Sequence, residues 1–257
     1  GIQKYPVDSA DSVHLQIEAM KIAFAQAHRH IADPGYMSVP YTEFLQADFL
    51  AHQAGKIKMD RASHGAPAIP TDHGTVCLST ADKDGTMVSF IQSNYLGFGS
   101  GVVIPNTGIS MQNRGFGFAI EKGHPNCVGG GKRPYHTIIP GFVTYEDRPL
   151  MSFGVMGGHM QPQGHVQMMV RIFDYGQNPQ TACDAPRWLV NQDSSVSLES
   201  GFSSDVIEEL ENRGHKVLPR SFPSLSGDFG GAQLVFCLDG GYCAASDPRK
   251  DGLAVGF

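Results

Sequence analysis

The sequence lacks the features of several classes of protein. None of its stretches approaches the ~20 consecutive apolar residues that a membrane-spanning helix needs, and no signal peptide is visible. Its basic residues are scattered and its formal net charge is −6, which argues against nucleic acid or an anionic membrane as the main partner. Its five cysteines are odd in number and match no zinc or redox spacing, so we interpret them mostly as small buried apolar residues.

The first residues also lack an initiating methionine. The chain begins at Gly1 and runs almost at once into a helical pattern, so we expect it to be an internal fragment. The missing signal then leaves the compartment open between cytoplasm and periplasm.

Helical periodicity dominates the first quarter of the chain. Apolar residues from Val13 to Ile31 recur at intervals of three and four, which predicts a helix over 12–32, capped by Ser9 or Asp11. A second helix is predicted over 42–54. Residues 60–74 contain two prolines and little periodicity, which is typical of an exposed linker.

The sequence pattern changes at Thr75 from helical periodicity to strand and turn signals. TVCLSTAD, a KDG turn and TMVSFIQSNY predict a β-hairpin, and GFGSGVV and NTGISMQN are interpreted as glycine-punctuated strands. Another hairpin is predicted to turn at 146–149, and a last one at Asp239-Gly240-Gly241. Helical spacing returns at 166–173 and at 206–210. This order of elements predicts a layered α+β protein without parallel βαβ alternation.

A series of motifs connects the chain to a known family. TVCLSTADKDG, FGSGVV, GISMQNRG, GGGKRPYHTIIP, MGGHMQPQGHVQMM, RIFDYGQNPQTACDAPRW and AASDPRKDG occur in that order. Together they resemble the small subunit of the γ-glutamyltransferase family, and residues 8–57 resemble the end of its large subunit. The resemblance implies the C-terminal portion of a four-layer αββα sandwich of the N-terminal nucleophile hydrolase type. It divides the chain into a large-subunit segment, 1–74, and a small-subunit catalytic segment, 75–257.

The resemblance also implies a nucleophile. Thr75 would attack the Gly74 carbonyl, and an N→O acyl shift followed by hydrolysis would release Thr75 as a new N-terminus. The freed α-amine, with an ordinary pKa of roughly 7.7–8.0, can then act as the base for its own hydroxyl. No metal and no organic cofactor are implied, and the HPNC segment lacks the clustered ligands that a metal site needs.

Four further residues match the family's catalytic apparatus. Gly157 and Gly158 match its oxyanion-hole pair, although the same glycines also suit a plain turn between a strand and a helix. Ser93 aligns with a hydroxyl that binds the nucleophile, or is a solvent-facing strand serine. Arg249 either reaches the acyl pocket or ties down the C-terminal segment.

The expected substrate pocket departs from that of glutathione-hydrolysing members. The family's amine-binding aspartate is replaced by Gly117, its hairpin asparagine by Tyr95, and its paired serines by His136 and Thr137. Arg114 stands where those enzymes have an amide. The exchange removes a carboxylate and adds a cation, which favours an acyl group without an α-ammonium, such as a glutaryl chain or poly-γ-glutamate.

The sequence therefore predicts an amide hydrolase or acyltransferase that acts on a small γ-glutamyl or glutaryl amide. Two alternatives stay open: a cephalosporin-acylase-like hydrolase without transferase activity, and an unprocessed, catalytically silent family member. The expected partner is the remainder of the large subunit, with a homodimer left open.

Overall fold

The computed structural model describes residues 1–64, 74–220 and 227–257. The α-helices are α1 (Ala10–His30), α2 (Ala47–Ala54), α3 (Met160–Met169), α4 (Pro179–Asp184) and α5 (Ser204–Asn212). The strands are β1 (Gly74–Ala81), β2 (Met87–Tyr95), β3 (Gly141–Tyr145), β4 (Arg148–Met156), β5 (Trp188–Val190), β6 (Val196–Glu199), β7 (Val217–Arg220), β8 (Gly231–Leu238) and β9 (Gly241–Ser246). Within these ranges, no helix is long and apolar enough to span a membrane.

The helix α1 joins the first part of the chain to the rest. Its Ser9 cap accepts a hydrogen bond from the Ser12 amide, and its apolar stripe is buried as the periodicity predicts. The stripe packs on β5, β6, β7 and α5 in a core cluster made of Val13, Ile17, Met20, Phe24, Trp188, Val190, Val196, Leu198, Phe202, Leu210 and Val217. Apolar burial thus holds residues 10–30 against the C-terminal half of the chain.

The central sheet is antiparallel, with the strand order β3-β4-β8-β9. Because side chains alternate along a strand, β4 presents Met151, Phe153 and Val155 to α3 and α4, and Ser152 and Gly154 to the opposite side. That opposite side is covered by the β1–β2 hairpin. Ser89 donates a hydrogen bond to the Phe153 carbonyl at 2.7 Å, and Cys77 packs so closely on Gly154 that a Cβ there would lie 2.5 Å from its sulfur.

These contacts give three successive layers: helices, the four-stranded sheet and the hairpin. None of the described elements covers the outer face of the hairpin, where Val76, Leu78, Val88 and Phe90 are each 43–58% exposed. The α+β class is confirmed. The fourth layer of the expected sandwich stays a prediction.

The third sheet corrects one expectation. β6 and β7 are parallel neighbours joined through α5, while β5 pairs antiparallel with β6. The described residues therefore include a βαβ unit, although the order of elements predicted none. The free edge of its strand β5 is bonded by side chains of α3. Gln163 bonds the backbone N–H and C=O of Val190, and Gln167 bonds those of Trp188.

Most other predicted elements are confirmed. The hairpins turn at Asp82–Thr86, at Glu146-Asp147 and at Asp239-Gly240, and α5 is followed by Gly214 at φ +92°. The prediction of strands at GFGSGVV and NTGISMQN is wrong, because this stretch forms loops with a single bridge between Val103 and Ser110. Residues 65–73 of the expected linker lie outside the described part.

Candidate active site around Thr75

Thr75 is the second residue of β1, and it pairs with Ser93 of β2. The pairing shifts register between Gly74 and Thr75, so the strand becomes regular only from Thr75 onward. The alternation of a strand puts Thr75 on the same face as Cys77, which is the face packed against β4 at Gly154. The Thr75 hydroxyl thus belongs to the interior side of the hairpin.

Ser93 is oriented by its own strand. Its Oγ accepts a hydrogen bond from the Tyr95 amide at 2.8 Å, which leaves the hydroxyl proton available for a second partner. Tyr95 itself has φ +79° and is buried, a conformation that a bulky residue adopts only when its surroundings hold it there. Ser93 is half-buried and lies opposite Thr75, which favours the interpretation that it binds the nucleophile over that of a solvent-facing serine.

Gly157 and Gly158 form the junction between β4 and α3. Both are buried and have positive φ, +121° and +56°. A Cβ on Gly157 would lie 3.0 Å from the Gly230 Cα, so a larger residue does not fit. Their carbonyls accept bonds from the Met160 and Gln161 amides at 2.9 and 3.0 Å, whereas their own N–H groups donate to no described residue. Two adjacent donors are therefore available beyond the end of β4.

Arg114 places a buried cation next to the hairpin. Its guanidinium lies 5.1 Å from the centre of the Tyr95 ring and donates to the Thr137 hydroxyl at 3.3 Å, and only 6% of the residue is exposed. No carboxylate of the described residues lies within ion-pair distance. Burial, and then the Arg114 charge, lower the pKa of the neighbouring His136, which favours its neutral form. An ionised carboxylate is the natural partner for such an arginine.

A cavity of about 590 Å³ opens beside these residues. Tyr95, Gly117 and Thr137 are among its lining residues, so the structure brings together three of the positions selected from the sequence. A Cβ on Gly117 would lie 3.0 Å from the Tyr135 carbonyl oxygen. The space into which a side chain at position 117 would extend therefore begins against the Tyr135 backbone and the Pro134 side chain.

Several residues of the cavity were missed by the sequence analysis. His159, which directly follows Gly158, stacks on Tyr135 with an angle of 8° between the rings, and His28 of α1 lies beside both. The motifs MGGHM and KRPYH contain the first two, and the position of His159 directly after the glycine pair was an available signal. His28 is more than a hundred residues away in sequence, and only the packing of α1 brings it there.

Arg249 is not placed to bind a substrate. Its guanidinium donates to both carboxylate oxygens of Glu199, to Asp247 and to the carbonyls of Cys183 and Ala185. All five donors are used within the protein, and its side chain is 1% exposed. The structure favours the second interpretation, in which Arg249 fixes the C-terminal segment, and we withdraw it from the pocket.

The chain is similar to known proteins along its whole length. The family model for gamma-glutamyltranspeptidase matches residues 1–257. The oxamate amidohydrolase proenzyme of Klebsiella pneumoniae subsp. pneumoniae is 37% identical over 257 residues, which cover 97% of this chain and 48% of that protein. The glutathione hydrolase-like YwrD proenzyme of Bacillus subtilis is 32% identical over 258 residues, with 97% and 48% covered.

A solved structure extends the similarity to three dimensions. Cephalosporin acylase from Bacillus halodurans superposes with a TM-score of 0.88 and 45% identity, over 98% of this chain and 47% of that one. These similarities place the fold among the N-terminal nucleophile hydrolases. Within that class, the chain belongs to the γ-glutamyltranspeptidase family. It spans about half the length of the curated relatives it matches.

Proposed function

We propose that this chain is the catalytic part of an amide hydrolase that works through an acyl-threonine intermediate on Thr75. The observation on which this rests most is the position of Thr75, on the interior face of the hairpin opposite Ser93 and directly after an irregular step at Gly74. Self-cleavage at Gly74–Thr75 would divide the chain into 1–74 and 75–257. The Thr75 oxygen attacks the Gly74 carbonyl, the peptide nitrogen leaves as the α-amine, and water hydrolyses the resulting ester.

The same groups serve the reaction on substrate. The α-amine of Thr75 takes the hydroxyl proton as the oxygen attacks the substrate amide, and later delivers that proton to the leaving amine. The Gly157 and Gly158 N–H groups, which have no acceptor among the described residues, suit the tetrahedral oxyanion. Ser93 can donate its free proton to the Thr75 oxygen.

The acyl group is proposed to bear a carboxylate that pairs with Arg114. A γ-glutamyl donor also brings an α-ammonium, for which Gly117 supplies no anion, while a glutaryl donor does not. The similarity to an oxamate amidohydrolase points the same way, because oxamate is an amide whose acyl group ends in a carboxylate. We therefore favour glutaryl-type or other carboxylate-terminated acyl chains over γ-glutamyl.

Hydrolysis without transfer is the second candidate, and the similarity to cephalosporin acylase favours it. The acyl-threonine ester can pass to water or to an amine acceptor. Release of free acid that is unchanged by an excess of dipeptide acceptor would indicate a pure hydrolase. Formation of acyl-dipeptide at the expense of free acid would indicate a transferase.

The test of the proposal is intact-mass spectrometry of the full-length protein. We expect cleavage before Thr75, no cleavage in Thr75→Ala, and cleavage in Thr75→Ser, which keeps a hydroxyl. Thr80→Ala is the matched control, because Thr80 lies on the same strand but on its exposed outer face, and it should be cut normally. Cleavage of Thr75→Ala at the same bond would remove Thr75 from the mechanism. An uncut wild type with no hydrolytic activity would support the silent alternative.

A further inference from the structure

A buried polar cluster adjoins α1's core stripe, and the proposed reaction does not use it. Side-chain nitrogen and oxygen atoms of His14, Glu18 and His215 lie within 4.8 Å of one another. The Lys21 ammonium lies 2.9 Å from Glu18 Oε1, 3.4 Å from His215 Nδ1 and 3.0 Å from the Ser63 carbonyl oxygen. These three bonds use all three of its protons.

The bonding pattern fixes the protons on both histidines. His14 Nε2 lies 2.8 Å from the Lys58 carbonyl oxygen and must donate to it, so His14 Nδ1 has a lone pair. His215 Nε2, at 2.8 Å, therefore donates to His14 Nδ1, and His215 Nδ1 accepts from Lys21. The Ser63 amide completes the cluster by donating to Glu18 Oε2 at 3.0 Å. Both rings are neutral, and every polar group of the cluster has a partner.

The cluster joins two parts of the chain that the proposed cut would separate. His14, Glu18, Lys21, Lys58 and Ser63 precede Gly74, and His215 follows it. Two more bonds reinforce the junction: the Ala62 amide lies against the Arg213 carbonyl oxygen at 2.6 Å, and the Arg213 guanidinium pairs with Asp11 at 2.7 Å. Residues 58–63 are thus fastened to α1 and to the end of α5, just before the segment that leads to Gly74.

We propose that this cluster is a latch that retains the fragment ending at Gly74 after cleavage, with the small-subunit segment as its partner. The proposal rests on the self-cleavage proposed above. Apolar packing of α1 supplies attraction without a fixed orientation, whereas the latch fixes the position of residues 58–63 through bonds of defined geometry. A proton added to either ring would break the pattern, because it would leave an N–H on His215 Nδ1, the atom that faces the Lys21 ammonium.

The latch should therefore open in acid. The charged groups that face the two rings are Glu18 and Lys21 of α1 and Arg213 at the end of α5, two cations and one carboxylate. Burial lowers the pKa of His14, and burial and then Lys21 lower the pKa of His215 to about 3. The separated fragments bind protons more readily than the complex. Retention is then complete above the ordinary imidazole pKa of about 6.5 and is lost as the pH falls below it.

The experiment measures how tightly the cut protein holds its two fragments, by size-exclusion chromatography at a series of dilutions. In Lys21→Met, which leaves Glu18 buried without its cation, retention should weaken about a hundredfold or more. The double variant Glu18→Gln/Lys21→Met removes both charges and should recover at least about tenfold of that loss. Lys216→Met is the matched control: Lys216 adjoins His215 but pairs with Asp193 on the surface of the same fragment, so retention should match the wild type.

A second measurement does not depend on any variant folding. The cut wild type should separate at about pH 5 and stay associated at about pH 7.5. Equal retention at both values, or equal losses in Lys21→Met and Lys216→Met, would overturn the latch. If the chain does not cut itself, a protease site placed within residues 65–73 supplies the break, so failure of the latch and failure of self-cleavage give different results.

Discussion

Replacement of Arg114 by glutamine tests how the pocket selects its acyl group. Glutamine keeps a donor for the Thr137 hydroxyl and removes the charge that lies 5.1 Å from the Tyr95 ring. A substrate carboxylate about 4 Å from the guanidinium gains about 4 kcal/mol of attraction at an effective dielectric constant near 20. The carboxylate also loses hydration, so the net contribution should be about 2–3 kcal/mol, the usual value of a hydrogen bond to a charged group.

This free energy corresponds to a fall in kcat/KM of roughly 30- to 150-fold for a glutaryl anilide. A butyryl anilide has the same chain length without the carboxylate, and its kcat/KM should change by less than about twofold. For the glutaryl substrate, the kcat/KM of Arg114→Lys should lie between those of the wild type and Arg114→Gln, because lysine keeps the charge but not the planar guanidinium. The assay is release of the aniline under conditions where rate is proportional to substrate concentration.

The stability of the variant is the internal control. Because no described carboxylate pairs with Arg114, its loss leaves no buried anion behind, and the melting temperature of Arg114→Gln should equal or exceed that of the wild type. Equal losses with the glutaryl and butyryl substrates would refute a carboxylate contact. A large drop in melting temperature would show instead that Arg114 supports the fold.

The remaining predictions concern two glycines. Gly158→Val should lower kcat by about 10²–10³ with little change in KM, since valine disfavours φ +56° and displaces one oxyanion donor. As a control, Gly85→Val, at an exposed turn with φ +87°, should leave kcat unchanged. Normal turnover by Gly158→Val would show that Gly157 and Gly158 form only a structural turn. The wild type should prefer glutaryl over γ-glutamyl anilide by roughly tenfold, about 1.4 kcal/mol, and Gly117→Asp should shift that ratio toward γ-glutamyl. Gly117→Ala is the control, because it places the same Cβ against the Tyr135 carbonyl without adding a carboxylate. An equal shift of the glutaryl to γ-glutamyl ratio in both variants, or a γ-glutamyl preference in the wild type, would contradict the role of position 117 in selecting the acyl group.

The sequence predicted the elements that are determined by neighbouring residues. It predicted the apolar stripe of α1, the hairpin around KDG and the glycine after α5, because periodicity and turn chemistry act within a few residues. The sequence predicts glycine-punctuated strands at 97–103 and 106–113, and the structure has loops there. Their glycines with positive φ and the absence of a partner strand among the described residues allow only one bridge.

Contacts between residues that are distant in sequence could not be predicted from local patterns. The proximity of Thr75 and Ser93 followed from hairpin register, but nothing local showed that His28 would reach the cavity. For Arg249, two interpretations were balanced until the structure placed Glu199 and Asp247 against it. Charge pairing of this kind is decided by tertiary packing, which a short motif does not encode.

The uncovered face of the hairpin connects the fold to the rest of the protein. A two-stranded hairpin is marginally stable alone, and its interior face is already used against β4. Val76, Leu78, Val88 and Phe90 remain about half exposed on the other face, in a group rather than singly. Since the chain spans about half the length of its relatives, we expect the remainder of the large subunit to cover this face and complete the fourth layer.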